Sequence, residues 1–149
     1  MIDKTKIMDF LNSWTAGVIE IGQFYMDDQD YVRCAESFIS RHYAFGEVEV
    51  LFKPTFTKDV IFRNTQQEAL SYFVKGQIKE DNGFALKPWE KIDLDECHMV
   101  QEEENTSVMG TLLFKPLGID ELTKVAFTFL LIEIEESIKI KVHHSSPVL

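Results

Sequence analysis

Hydrophobic periodicity changes once along this chain, and the change fixes the fold class. In the first third, Ile7, Phe10, Trp14, Val18, Ile21 and Tyr25 recur every three or four residues, the spacing that gathers side chains on one helix face. "MDDQD" interrupts the pattern and offers Asp28 or Asp30 as the cap of a second helix. On that helix Tyr31, Cys34, Phe38 and His42 form a stripe with Ala35 and Ile39 beside it, and Gly46 ends the section. The later segments "ALKPWEKIDLDECHMV", "SVMGTLLFKP", "TKVAFTFLLIEIE" and "SIKIKVHHSS" are rich in Val, Ile, Phe and Thr and are parted by acidic or Gly/Asn turns. They read as antiparallel strands joined by hairpins. Helices first and a meander afterwards predict an α+β domain, with the helices on one face of a strongly curved, mostly antiparallel sheet. Such an arrangement encloses a cone-shaped pocket, the usual place for a ligand.

Two shorter elements connect the halves. "EVEVLFKP" alternates Val48, Val50 and Phe52 against Glu47, Glu49 and Leu51, a strand stopped by Pro54. "NTQQEALSYFV" is a short helix capped by Asn64 or Thr65. With 149 residues and no linker or repeat, residues 1–149 are expected to form one domain.

The formal net charge of −10 and the lack of any Lys/Arg cluster argue against a nucleic-acid surface. Cys34 and Cys97 stand alone, outside any metal-binding spacing, and are expected to be reduced packing residues. "MIDKTKIMDF" lacks the apolar run of a signal peptide, and no later segment reaches membrane-spanning length. No membrane partner and a cytoplasmic location are therefore expected.

The last strand, "SIKIKVHHSSPVL", carries the polar groups of most interest. Side chains alternate across a strand with period two, so Ile138, Ile140, Val142, His144 and Ser146 should share the inner face. Lys139, Lys141, His143 and Ser145 should share the solvated one. The plainer alternative is a frayed strand end with both histidines half exposed. Thr55 at the end of "LFKPT" and Tyr72 in "ALSYF" offer further hydroxyls for the same pocket. Together with an imidazole they would suit a small planar oxyanion or a polarised water. Taken singly, Thr55 also suits a turn or cap, and Tyr72 a core aromatic.

In this order "VLFKPT", "IFRNT", "EALSYFV", "EDNGFALKPWEKI", "MGTLLF", "KVAFTF" and "KVHHSSP" span most of the chain. The sequence resembles the iota-class carbonic anhydrases, which are related to the association domain of calcium/calmodulin-dependent protein kinase II and share its nuclear-transport-factor-2-like fold. The resemblance implies a pocket for carbon dioxide or bicarbonate, contacted by Thr55 and Tyr72. It also implies roles for His144 and Ser146, with Ser145 as a further substrate contact. Departures are Asn64 in place of a proline, and Ala126 and Phe127 where the family tends to carry a carboxylate and a tyrosine.

A zinc site for this chemistry wants about three convergent ligands. The histidines are His42, His98, His143 and His144, and adjacent strand residues such as the last two face opposite sides. No metal and no cofactor are expected. Catalysis would rest on Thr55, Tyr72 and Ser146 holding substrate oxygens, with a water activated through the hydroxyl network and His144. A homodimer or larger homo-oligomer is expected. The alternatives are a non-catalytic oligomerisation or small-ligand-binding domain, and an isomerase-type enzyme, which would need a buried carboxylate base.

Overall fold

α1 (Lys4–Met26) starts where the Asp3 carboxylate accepts the Thr5 N–H at 2.7 Å, satisfying a donor that the first turn leaves free. Its stripe of Ile7, Phe10, Trp14, Val18 and Ile21 is buried, whereas Tyr25 in the last turn is exposed. α2 (Tyr31–His42) is capped by Asp30, which accepts from Arg33 N–H at 3.1 Å. Asp28, the other candidate cap, adopts a left-handed φ of 59°. Gly17 lets the two helices touch: a Cβ there would lie 2.5 Å from a Phe38 ring carbon. The computed structural model describes residues 1–149.

The strand expected from Glu47 is shorter than its alternation predicts. β1 is only Leu51–Lys53, and Val48 lies in the preceding turn. α3 (Gln66–Val74) is capped by Thr65, whose hydroxyl accepts from Glu68 N–H while the Glu68 carboxylate reaches back to Thr65. This reciprocal arrangement settles the choice between Asn64 and Thr65. A 3₁₀ turn at Phe84–Leu86 follows.

Four long strands complete the chain: β2 (Trp89–Gln101), β3 (Asn105–Pro116), β4 (Thr123–Ile134) and β5 (Ser137–Pro147). The sheet order is β1-β5-β4-β3-β2, antiparallel except for the parallel β1–β5 pair. The helices cover one face. Val108, Leu112, Phe114, Val125, Phe129, Leu131 and Ile140 meet the α1 and α2 stripes there in one buried cluster. Each such side chain contributes roughly 1.5–3 kcal/mol by leaving water. No helix is long and apolar enough to cross a membrane.

One irregularity decides what the fold delivers to its interior. β4 pairs Leu131 with Ile140 but Leu130 with Val142, so Lys141 has no residue opposite it. A bulge residue shifts the period of everything after it by one. Ile140 faces inward, and beyond the bulge His143 and Ser145 are buried. His144 is exposed, and Ser146 is only partly covered. The expected inward facing of His144 and Ser146 is thereby corrected, since simple alternation does not survive the extra residue at Lys141.

Candidate functional site

Pro54 cannot continue the β1 ladder, so the chain leaves the sheet there and Thr55 turns under α3. The edge is held from outside. The Asn64 side-chain oxygen accepts the Phe52 N–H at 2.9 Å, and Arg63 N–H donates to the Phe52 carbonyl at 2.7 Å. Asn64, one of the departures noted above, thus covers the β1 edge. Tyr72 projects from α3, and its phenolic oxygen accepts the Phe56 N–H at 3.1 Å and interacts with the Thr55 side chain.

Thr55, Tyr72, His143 and Ser145 line one hollow between helices and sheet, walled by Phe52, Phe73 and Phe114. It leaves about 10 Å³ for the centre of a water-sized molecule, about what one water needs. A larger cavity of about 420 Å³, bordered by Phe56, Lys87 and Trp89, shares the Tyr72 and Phe84 walls and opens outward. A small molecule bound in the hollow would meet hydroxyls set in an aromatic lining.

His143 is the polar group that sequence reasoning missed. Its Nε2 lies 2.6 Å from Ser145 Oγ, its Nδ1 lies 2.8 Å from the Tyr43 hydroxyl, and its ring stacks on Phe52 with centroids 4.7 Å apart. Burial pushes its pKa down to about 3, and the neighbouring His144 and Lys53 act in the same direction. The ring is therefore neutral at ordinary pH. Burial likewise raises the phenols of Tyr43 and Tyr72, so both keep their protons. Of the residues singled out from sequence, the structure gathers Thr55, Tyr72 and Ser145 and leaves His144 and Ser146 outside. No three His, Cys, Asp or Glu side chains cluster as metal ligands. Phe127, opposite Ser145 in the ladder, is buried against Phe129 and brings no hydroxyl.

An ion pair supports the site from behind. Arg63, fully buried, makes two 2.7 Å bonds to the Asp81 carboxylate, and Ser71 of α3 donates to the same carboxylate at 2.6 Å. The guanidinium also lies 5.9 Å from the centre of the Tyr72 ring. Beside it, the Glu80 carboxylate accepts the N–H groups of Lys58, Asp59 and Val60, which hold its pKa below the usual carboxylate value.

Helices on one face of a mostly antiparallel five-stranded sheet, closed over a hydroxyl-lined hollow, define a nuclear-transport-factor-2-like domain. Solved folds agree. A protein described as a calcium/calmodulin-dependent protein kinase II association domain from Xanthomonas campestris superposes with a TM-score of 0.72 at 13% identity, over 99% of this chain and 89% of that one. An NTF-2-like protein of unknown function from Shewanella oneidensis MR-1 gives 0.61 at 17% identity, over 97% and 99%.

A much nearer structure is an iota-carbonic anhydrase from a cyanobacterium complexed with bicarbonate. Its TM-score is 0.93 and its identity 26%, over 99% of this chain and 93% of that one. A metal-independent carbonic anhydrase of Nostoc sp. (strain PCC 7120) is 26% identical over 151 residues, covering 97% of this chain and 73% of the relative. The family model for metal-independent carbonic anhydrase matches residues 5–147. The chain belongs to the metal-independent carbonic anhydrase family.

Proposed function

We propose that this protein catalyses the reversible hydration of carbon dioxide to bicarbonate where the inner hollow meets the larger cavity at their shared Tyr72 and Phe84 walls. The observation that carries the reading is that three hydroxyl-bearing residues, Thr55, Tyr72 and Ser145, line one small aromatic-walled space. It occurs in a chain whose near structural relative is complexed with bicarbonate. As a water oxygen bonds to the carbon, one C–O π pair moves onto oxygen, and the product is bicarbonate plus a proton. Hydroxyl donors aimed at those oxygens stabilise the charge as it develops, an effect worth roughly 2.7–4 kcal/mol for each well-placed donor. His143, neutral and weakly basic, is a poor proton acceptor, so the released proton is taken up by solvent buffer.

Stopped-flow carbon dioxide hydration on chelator-treated protein tests the proposal. A rate above the uncatalysed background that survives chelation is expected. Background rates only, or full loss of activity on chelation, would overturn it.

A homodimer completes the proposal. The sheet face turned away from the helices exposes Leu51, Val100 and Met109, at 58%, 64% and 60% of their surface, and a second copy would cover them. Light scattering on Met109→Asp against the parent reads the assembly. The cytoplasmic setting expected from the sequence is part of the same proposal, and cell fractionation tests it.

A further inference from the structure

Trp14, Tyr43, His143 and Ser145 form one unbroken hydrogen-bonded line from α1 to the hollow. Trp14 Nε1 lies 3.2 Å from the Tyr43 hydroxyl, which lies 2.8 Å from His143 Nδ1, and His143 Nε2 lies 2.6 Å from Ser145 Oγ. Trp14, Tyr43, His143 and Ser145 are all buried, so each proton has to find its partner within the line.

The direction of the line follows from its first member. An indole N–H only donates, so the Tyr43 oxygen accepts there, and its own proton has one remaining partner, His143 Nδ1. A ring nitrogen that accepts a hydrogen bond carries no proton, and a neutral imidazole has only one. It therefore sits on Nε2 and is donated to Ser145 Oγ. The opposite tautomer would turn two N–H groups onto the Tyr43 oxygen and leave the phenolic proton buried with no acceptor.

By distance alone, Ser145 and His143 look like a nucleophile and its base. An activated serine needs a bare Nε2, secured by an acceptor that takes the Nδ1 proton. Here a phenol donates to Nδ1, and the polarity is reversed. We propose that Trp14 and Tyr43 are positioning residues that lock His143 in the Nε2–H tautomer, so that Ser145 keeps its own proton free to donate to a substrate oxygen. The inference rests on the carbon dioxide reading for what the oxygen belongs to, but the tautomer stands independently of it. Burial keeps the ring neutral, with a pKa near 3, so the arrangement holds throughout the neutral range.

The deciding measurement is the ring ¹⁵N spectrum of His143 in the ligand-free protein, assigned with His143→Gln. A bare Nδ1 and a protonated Nε2 are expected, whereas a protonated Nδ1 overturns the proposal. Tyr43→Phe should release the preference and lower kcat by a factor on the order of a hundred, as for loss of one oxyanion donor, with a smaller change in KM. Trp14→Phe should act in the same direction. In a Ser145→Ala background the Tyr43→Phe effect on kcat should largely vanish, since both act through one hydroxyl. Unchanged ring nitrogens and kcat in Tyr43→Phe, or a burst of acyl-enzyme from an activated ester in the parent, count against it. The expected tautomer in a protein without hydration activity would sink the function and leave the relay standing. Activity with the other tautomer would do the reverse.

Discussion

The Lys53 ammonium lies 3.0 Å from the carbonyl oxygen of Ser145. It also reaches the Thr55 carbonyl at 3.3 Å, so one side chain clasps the backbone of two residues whose hydroxyls enter the hollow. Burial lowers its pKa. β1 contributes only three residues to the sheet, and the clasp compensates for so short a ladder. Lys53→Met, which keeps most of the stem, should lower kcat/KM by about tenfold, or roughly 1.4 kcal/mol. Hydrogen bonds from charged donors contribute about 1.5–3 kcal/mol, which accommodates that loss. Stopped-flow hydration across substrate concentrations reads the effect, and parental kinetics in this variant would remove the clasp from the account.

Adjacent serines give a sharper comparison. Ser145 lines the hollow, while Ser146 belongs to the opposite face, paired with Ala126. Ser145→Ala should reduce kcat by about 10²–10³, the range for a lost oxyanion donor. Ser146→Ala and His144→Ala should stay within about twofold of the parent, because neither side chain meets the hollow, and surface changes rarely exceed about 0.5 kcal/mol. Equal losses at Ser145 and Ser146 would contradict the register of β5.

That register marks where sequence reading stopped. The α1 and α2 stripes were legible because burial on a 3.6 period leaves a direct pattern, and Thr65 with Glu68 announces a helix start through side-chain chemistry. The four long strands were legible for the same kind of reason. Lys141 is different: a bulge costs one residue of register and carries no residue type of its own, so the alternation ran through it and assigned His144 and Ser146 to the inside. The family likeness found "HHSS" and was read onto the same two residues, His144 and Ser146. His143 was hidden by parity. Tyr43 was hidden by distance, since its bond to His143 spans 100 positions. Trp14 was placed correctly on the inner stripe, yet periodicity has nothing to say about an indole N–H.

Arg63 and Asp81 make a different kind of prediction, about stability. Both side chains are closed to water, at 0% and 1% exposure, and breaking a buried pair by removing one partner leaves an uncompensated charge. Asp81→Asn or Arg63→Met should each cost about 3–5 kcal/mol in urea unfolding. The double replacement should cost less than the sum, because neither Arg63 nor Asp81 is then left facing an empty partner position, and Glu80, 3.6 Å from Arg63, keeps its three backbone N–H donors. Additive losses would mean that the two groups act separately. Because Ser71 of α3 also bonds to Asp81, Asp81→Asn should disturb Tyr72 and lower activity as well.

Two buried histidines set how the protein responds to acid. His42 donates from Nδ1 to the Phe38 carbonyl at 2.8 Å, and Ser13 completes its Nε2 side at the same distance. Burial lowers its pKa to about 4, Arg41 adding to the effect, and lowers that of His143 to about 3, with Lys53 and His144 contributing. Both rings titrate near 6.5 once the chain unfolds. Above that pH neither form binds the extra protons, and stability is at its full value. As the pH falls below 6.5 the unfolded chain takes up two protons that the folded one refuses, so stability drops by up to about 1.4 kcal/mol per pH unit for each ring. At pH 5 this amounts to roughly 2 kcal/mol apiece. The His42 contribution levels off near its folded value and that of His143 about a unit lower. The depressed Glu80 carboxylate acts only below the ordinary carboxylate range, outside the window from 6.5 to 5. Urea unfolding at pH 7.5, 6 and 5 should show this decline, and His42→Gln should remove about half of its slope. A stability that stays level from pH 7.5 to 5 would mean that these rings accept protons inside the fold, and the neutral imidazole assigned to His143 would go with it.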